Sequence, residues 1–189
     1  MAYLTEEQIQ EMGFKSIGSN VLLSDKASYY NCKNISIGSN VRVDDFCVLS
    51  AGEGGIDIGS YVHIAIGVSL IGSGKIILKD FCGLSSRVSV YSSNDDYSGK
   101  FLTNPTVPTE FTNVSHGPVT IGKHVIIGSG SVILPNVILE EGVAVGALSL
   151  VNKSCKAFGI YLGVPAKRIK ERKRQLLNME KELLMIINN

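Results

Sequence analysis

The sequence predicts an all-β solenoid, a left-handed parallel β-helix with short helical segments at its two ends. Three observations predict it. An aliphatic residue returns every sixth position through most of the chain, a small or β-branched residue follows it four positions later, and 20 glycines accompany a complete absence of tryptophan. A helix does not hold a six-residue period on one face, and an amphipathic strand alternates by two. A six-residue unit instead makes one flat side and one corner, and three such units close a triangular coil of about 18 residues.

The period is clearest in Ile121, Ile127, Ile133, Leu139, Val145 and Val151, with Val125, Ser131, Val137, Val143 and Ser149 at the small position. Upstream it recurs with shifts of phase. Ile37, Val43 and Leu49 make one run; Ile58, Ile64, Leu70 and Ile76 a second; Leu78, Leu84 and Val90 a third. The shifts fall near Ala51–Ile56 and Gly72–Leu78, where clustered glycines predict bulged corners. Residues 15–36 carry a fainter pattern, and only Ile17, Leu23 and Ile35 suggest a first coil. Thr5-Glu6-Glu7-Gln8 has the form of a capping box and predicts a short N-terminal helix. At the other end, Pro165 suits the first position of a helix, and Ile169, Leu176, Met179, Leu183 and Ile186 form one apolar stripe, predicting a helix over 164–187. That stripe is expected to pack on a coil side or on a neighbouring subunit. The whole chain, 1–189, reads as a single domain: a β-helix over 15–156, interrupted by an irregular loop at 91–118, and then the C-terminal helix. The loop is polar, contains three of the five prolines and has no hexads, and long irregular loops between regular ladders usually carry function.

A net charge of +1 gives no bulk field favouring nucleic acid or a membrane surface. The N-terminal stretch is acidic and lacks a long apolar run, and no segment approaches the roughly 18 apolar residues of a membrane span. Cys32, Cys47, Cys82 and Cys155 form no CxxC pair, and Cys47 and Cys82 occupy small-residue positions of the repeat, so packing explains them. No metal is predicted. A cytoplasmic protein with reduced thiols is the expectation.

Val119–Val151 and Gly159–Ile169, the latter reading GIYLGVPAKRI, resemble the C-terminal signature of the hexapeptide-repeat acyltransferases, which include sugar O-acetyltransferases, xenobiotic acetyltransferases and N-acetyltransferases of nucleotide-linked amino sugars. The likeness spans roughly residues 15–172. It implies acetyl-CoA as cosubstrate and a homotrimer whose sites lie between subunits, the loop of one meeting the coils of the next. Within the loop, Tyr91–Gly122 most resembles acyltransferases of 4-amino-4,6-dideoxyhexoses linked to dTDP or a similar nucleotide. In the O-acetylating branches a catalytic histidine sits early in this loop. Here the corresponding stretch is Ser93-Asn94-Asp95-Asp96-Tyr97, without one.

That departure has a chemical meaning. A sugar hydroxyl needs a strong, well-placed base, whereas an amine that has lost its ammonium proton attacks a thioester unaided. A carboxylate suffices to orient the ammonium and relay its proton. Asp95 and Asp96 are therefore the leading catalytic candidates, with an Asx turn as the alternative. His116, the only histidine in the loop, is a candidate base for O-acylation or a loop residue bonded to backbone. Glu110 is a substrate ligand or a rim charge. Ser85, Ser86 and Asn94 are candidates for binding substrate. For CoA, Gly128, Ser129, Gly146 and Ala147 offer backbone close to a pantetheine arm, and Ser149 offers a hydroxyl at a position where the repeat already calls for a small residue. By resemblance Pro165 and Ala166 flank the adenine, and Lys167, Arg168 and Lys170 pair with its phosphates. The primary expectation is an acetyl-CoA-dependent N-acetyltransferase of a nucleotide-linked amino-deoxy sugar in surface glycan synthesis. The alternative is an O-acetyltransferase of a sugar or polysaccharide using His116.

Overall fold

A computed structural model describes residues 2–187 and has the solenoid that the hexads predict. Short strands assemble into three parallel sheets of six, eight and six strands, one per side of a triangular prism. The first side contains Ile35–Ile37, Ile56–Ile58, Ile76–Leu78 and Val119–Ile121; the second Val41–Val43, His63–Ile64, Gly83–Leu84, Ile126–Ile127 and Ala144–Val145; the third Val48–Ala51, Ser69–Gly72, Ser89–Tyr91, Val132–Ile133 and Leu150–Val151. Neighbouring coils stack in register, so that Ile64 pairs with Leu84 and Leu84 with Ile127. All three are essentially inaccessible to solvent. Each aliphatic rung buried this way stabilises the fold by roughly 1.5–3 kcal/mol before entropy is counted.

The corners are built from left-handed residues. Between the first and second sides these are Asn20, Asn40, Tyr61, Phe81 and His124. Asparagine tolerates that conformation through its short polar side chain. The three rings are held in it by one another: Tyr61 stacks on Phe81 at 4.7 Å and Phe81 on His124 at 5.2 Å. The corner between the third and first sides is wider. Its glycines stack tightly, since a Cβ on Gly52 would fall 2.5 Å from the Cα of Ser73 and one on Gly54 2.5 Å from the amide nitrogen of Lys75. One coil later this same widened corner opens into the irregular loop.

Residues 15–36 form the first coil that Ile17, Leu23 and Ile35 suggest, with strands Ser16–Ile17, Val21–Leu23 and Ser28–Tyr30. Its hexads are faint because this coil ends the stack, where α1 (Glu6–Glu11) covers it with the buried Ile9. The capping box of α1 is present, Thr5 Oγ1 accepting from Gln8 N at 3.2 Å and Gln8 Oε1 from Thr5 N at 2.8 Å. The predicted helix over 164–187 is only half a helix. The chain turns back through Gly163–Ala166, and Lys167–Glu171 pairs antiparallel with Gly159–Leu162, closing the open edge of the second sheet. Pro165 lies in that turn, and only α2 (Leu176–Ile187) is helical. The apolar stripe is not covered within this chain: Met179, Leu183 and Ile186 are exposed, and Ile169 is an exposed strand residue. Polar contacts hold α2 instead. Glu180 Oε2 meets the His124 Nε2 at 2.8 Å, its other oxygen pairs with Lys123, and Arg172 Nη1 donates to the His124 carbonyl at 2.7 Å. The predicted boundaries at Met1 and at Asn188 and Asn189 lie outside the described residues.

Candidate active site

The irregular loop starts and ends as a two-stranded antiparallel ribbon, Ser93–Asn94 against Ser115–His116, with Ser93 opposite His116 and Asn94 opposite Ser115. Successive side chains on an extended strand point to opposite faces. Ser93 therefore shares one face with His116, and Asn94 takes the other. Beyond that pairing, the lining of the cleft separates the two aspartates. Asp95 and His116 line a cleft of about 770 Å³, together with Ser73, Ser93, Pro105, Thr109 and Asn113. Asp96 does not line it. Its carboxylate accepts from Ser98 N at 2.7 Å, Ser98 Oγ at 2.5 Å and Asn113 Nδ2 at 3.0 Å. Those bonds, led by the Ser98 hydroxyl, hold its carboxyl below the usual range. Asp96 thus takes the Asx-turn alternative, its carboxylate bonded within the loop.

Ser93 orients His116. Its Oγ accepts from Ser73 N at 2.8 Å and lies 2.8 Å from His116 Nδ1. That hydroxyl can donate to Nδ1 or, through its second lone pair, accept from it, so the contact fixes the place of the ring and not its tautomer. Glu110 stands exposed on the short 3₁₀ turn Thr109–Phe111 and does not line the cleft, as its rim-charge alternative has it.

Ser85 and Ser86 are on a different corner, between the second and third sides. With His63, Gly83 and Ile126 they line a shallow groove of about 280 Å³. Beside it is a group that sequence reasoning missed. Asp44, buried, sits 2.8 Å from His63 Nε2 and 2.9 Å from Arg42 Nε. The guanidinium approaches Asp44 Oδ1 off-line, so that oxygen has ion-pair but no hydrogen-bond compensation. Arg42 and His63 are paired across adjacent coils. They lie 21 positions apart, and stepping along the upstream ladder by one coil could have revealed the pair.

The CoA candidates divide by environment. Ser149 is buried and its hydroxyl is committed, donating to the Gly146 carbonyl at 2.8 Å and accepting from Gly163 N at 3.1 Å. It serves the coil, which corrects its expected contact with CoA. Gly128 is required by the next layer, where a Cβ would lie 2.4 Å from Ala147 N, whereas one on Gly146 would meet only the movable Leu162 side chain, at 2.5 Å from its Cδ1. Ser129 accepts from Leu148 N through its carbonyl at 2.9 Å, leaving its hydroxyl and the exposed Ala147 at the surface of this corner. Ala166 is bonded through its amide to the Leu150 carbonyl at 2.8 Å, and Pro165 is exposed beside it. Lys167, Arg168 and Lys170 are all exposed, on a strand and not on a helix. Arg168 is engaged with Glu171 at 2.5 Å. Among the described residues no group of three His, Cys, Asp or Glu could hold a metal, and no helix is long and apolar enough to cross a membrane.

A triangular solenoid whose regular ladder is broken by one cleft-forming loop defines a hexapeptide-repeat transferase, and this chain belongs to the hexapeptide-repeat acyltransferases. Residues 118–153 match the family described as bacterial transferase hexapeptide (six repeats). The chain is 62% identical over 180 residues to a dTDP-4-amino-4,6-dideoxy-D-glucose acyltransferase of Escherichia coli, covering 95% of this chain and 94% of the relative. It is 48% identical to AntD, an N-acyltransferase from Bacillus cereus solved with dTDP and 3-hydroxybutyryl-CoA, with a TM-score of 0.94 over 99% of this chain and 98% of that one. Other solved forms of AntD carry a substituted serine, or a substituted aspartate ten positions further on. A putative lipopolysaccharide biosynthesis O-acetyl transferase of E. coli K12 is 28% identical over 84% of this chain and 88% of its own.

Proposed function

We propose that this acyltransferase is an acetyl-CoA-dependent N-acetyltransferase acting on the amino group of a dTDP-linked amino-deoxy sugar, in the cytoplasmic synthesis of a surface glycan. The observation that carries the reading is the placement of Asp95: it is the one acid that lines the cleft, with Ser93 and His116. A carboxylate there holds the sugar ammonium, takes its proton and leaves the free amine to attack the thioester carbonyl. The nitrogen–carbon bond forms, the tetrahedral intermediate collapses, and the carbon–sulfur bond breaks to release CoA thiol. No acyl-enzyme is needed.

The relatives support the same reading. In AntD the substituted serine and aspartate are ten positions apart, as are Ser85 and Asp95 here. Ser86 and Asp96 share that spacing, but Asp96 is occupied with the loop, which favours Ser85 and Asp95 as the working pair. Those two residues are on different corners of the prism. A site that uses both takes one from each of two copies, which supports a homotrimer with three sites between subunits, Ser129, Ala147 and the Lys167–Lys170 strand facing the CoA. The O-acetylating alternative requires His116 as a base, with Nδ1 held against the Ser93 hydroxyl. A thiol-release assay with acetyl-CoA across nucleotide-linked amino sugars and simple glycosides tests the proposal. Turnover with dTDP-4-amino-4,6-dideoxyglucose and none with glycosides is expected; turnover only with hydroxyl acceptors would reverse it.

A further inference from the structure

The Asp95 carboxylate lines the cleft without a partner of its own. Among the described residues it makes no hydrogen bond and no ion pair, and it is exposed. A side chain in that position is aimed by its backbone alone. Small errors of aim are costly to a reacting group, so the two flanks of Asp95 decide how well it can work.

One flank is the ribbon. Asn94 pairs with Ser115, and Ser115 Oγ donates to the Asn94 carbonyl at 3.2 Å. Past that pair the two limbs of the loop part, and among the described residues their next backbone bond runs from Leu102 N to the Phe111 carbonyl at 2.9 Å. The other flank, Asp96, is tied by side chains. Asn113 Nδ2 donates to Asp96 Oδ2 at 3.0 Å, while Ser98 N and Oγ fill Asp96 Oδ1 at 2.7 and 2.5 Å. The Ser98 bonds are local and would follow this limb wherever it moved. The Asn113 bond is different, because it spans 17 positions and reaches the returning limb, which leads on to His116 in the cleft wall. Asp96 is two positions beyond Asn94, and Asn113 two before Ser115. The Asn113 amide thus acts as one more rung of the ribbon, made by side chains where the backbone rungs have stopped. Asp95 is the single residue between the two rungs.

We propose that Asn113 is a positioning residue for the acyl transfer: its bond to Asp96 fixes the backbone on the far side of Asp95 and so holds that carboxylate over the cleft. The inference rests on the function proposed above, and extends it to a residue that performs no chemistry itself. Asn113 also lines the cleft, so a direct contact with the acceptor is the competing role. The two roles separate in kinetics. Loss of a contact made equally in ground and transition states raises KM, whereas a fault in the aim of Asp95 lowers kcat.

Thiol-release kinetics of the full-length chain with acetyl-CoA and dTDP-4-amino-4,6-dideoxyglucose test it. Asn113→Ala is expected to keep its melting temperature and both KM values while kcat falls about tenfold or more. In an Asp95→Asn background the same change is expected to cost nothing further, because there is no carboxylate left to aim. An exchange of partners supplies the rescue. Asn113→Asp alone sets two carboxylates against each other and should lose as much as Asn113→Ala. Adding Asp96→Asn restores the bond with donor and acceptor reversed, keeps an oxygen for Ser98, and should return most of kcat. If Asn113→Ala melts early, this exchange, which conserves size and polarity, decides alone. A rise in KM at unchanged kcat, a loss that adds to that of Asp95→Asn, or an exchanged pair no better than Asn113→Asp overturns the inference and leaves the proposed activity standing. Full turnover in Asp95→Asn, or a wild type that acylates no amino sugar, removes the reading of Asp95 and the role of Asn113 with it.

Discussion

The regular ladder and the loop at 92–117 are made by opposite rules from the same corner. In the ladder the inward positions are aliphatic or small except at the ends, where Tyr29 and Tyr161 pack on the core, and adjacent coils approach so closely that a Cβ at Gly128 would meet backbone. In the loop almost nothing is buried: Tyr97 is 87% exposed, and order comes from side chains bonding locally, Asp96 to Ser98 and Asn113. The ladder supplies stability, and the loop presents polar groups at defined angles without carrying much of it. The loop could grow at this corner because the corner was already widened, with Gly52–Gly55 and Ser73–Lys75 stacked beneath it.

Substitutions can break this contrast. Leu84→Ala, in a central rung, is expected to cost about 2–5 kcal/mol in chemical denaturation, whereas Tyr97→Ala should stay within about 0.5 kcal/mol. Equal losses would mean that the loop is part of the core. Gly128→Ala forces a Cβ against the Ala147 backbone and should cost about 1–3 kcal/mol, measured the same way. A neutral result would show that the coils can part. A smaller effect concerns the polar docking of α2. Lys123, and then His124, hold the Glu180 carboxyl below its ordinary range. A lowered folded pKa contributes stability in full above the unfolded value of about 4.3 and loses it as pH falls through the folded one. Acidification through that window should therefore loosen α2, seen as increased backbone mobility by NMR relaxation. Glu180→Gln should loosen it already at neutral pH and remove the pH dependence.

The ladder was legible because its rule is local and repeated: Ile121 to Val151 needs only counting by six. The loop was legible as a break, and its aspartates as candidates, but not which one faces the cleft. That depended on a two-residue ribbon pairing Ser93 with His116, a contact 23 positions apart that no periodicity announces. Lys167–Glu171 was misread for a related reason. Its charged composition suits a helix, yet the unpaired edge of Gly159–Leu162 claims it as a strand, and tertiary demand overrode local preference. Arg42, Asp44 and His63 went unnoticed because coil geometry, and not sequence proximity, assembles them.

The central claim is that the loop delivers one carboxylate, Asp95, to the amine. It is tested most directly by comparing turnover of Asp95→Asn and Asp96→Asn on dTDP-4-amino-4,6-dideoxyglucose with acetyl-CoA, at saturating concentrations of both. Asp95→Asn is expected to lose at least about 100-fold in kcat, while Asp96→Asn, which keeps an oxygen to accept from Ser98, loses only a few-fold. Full turnover in Asp95→Asn, or the larger loss in Asp96→Asn, would contradict the account.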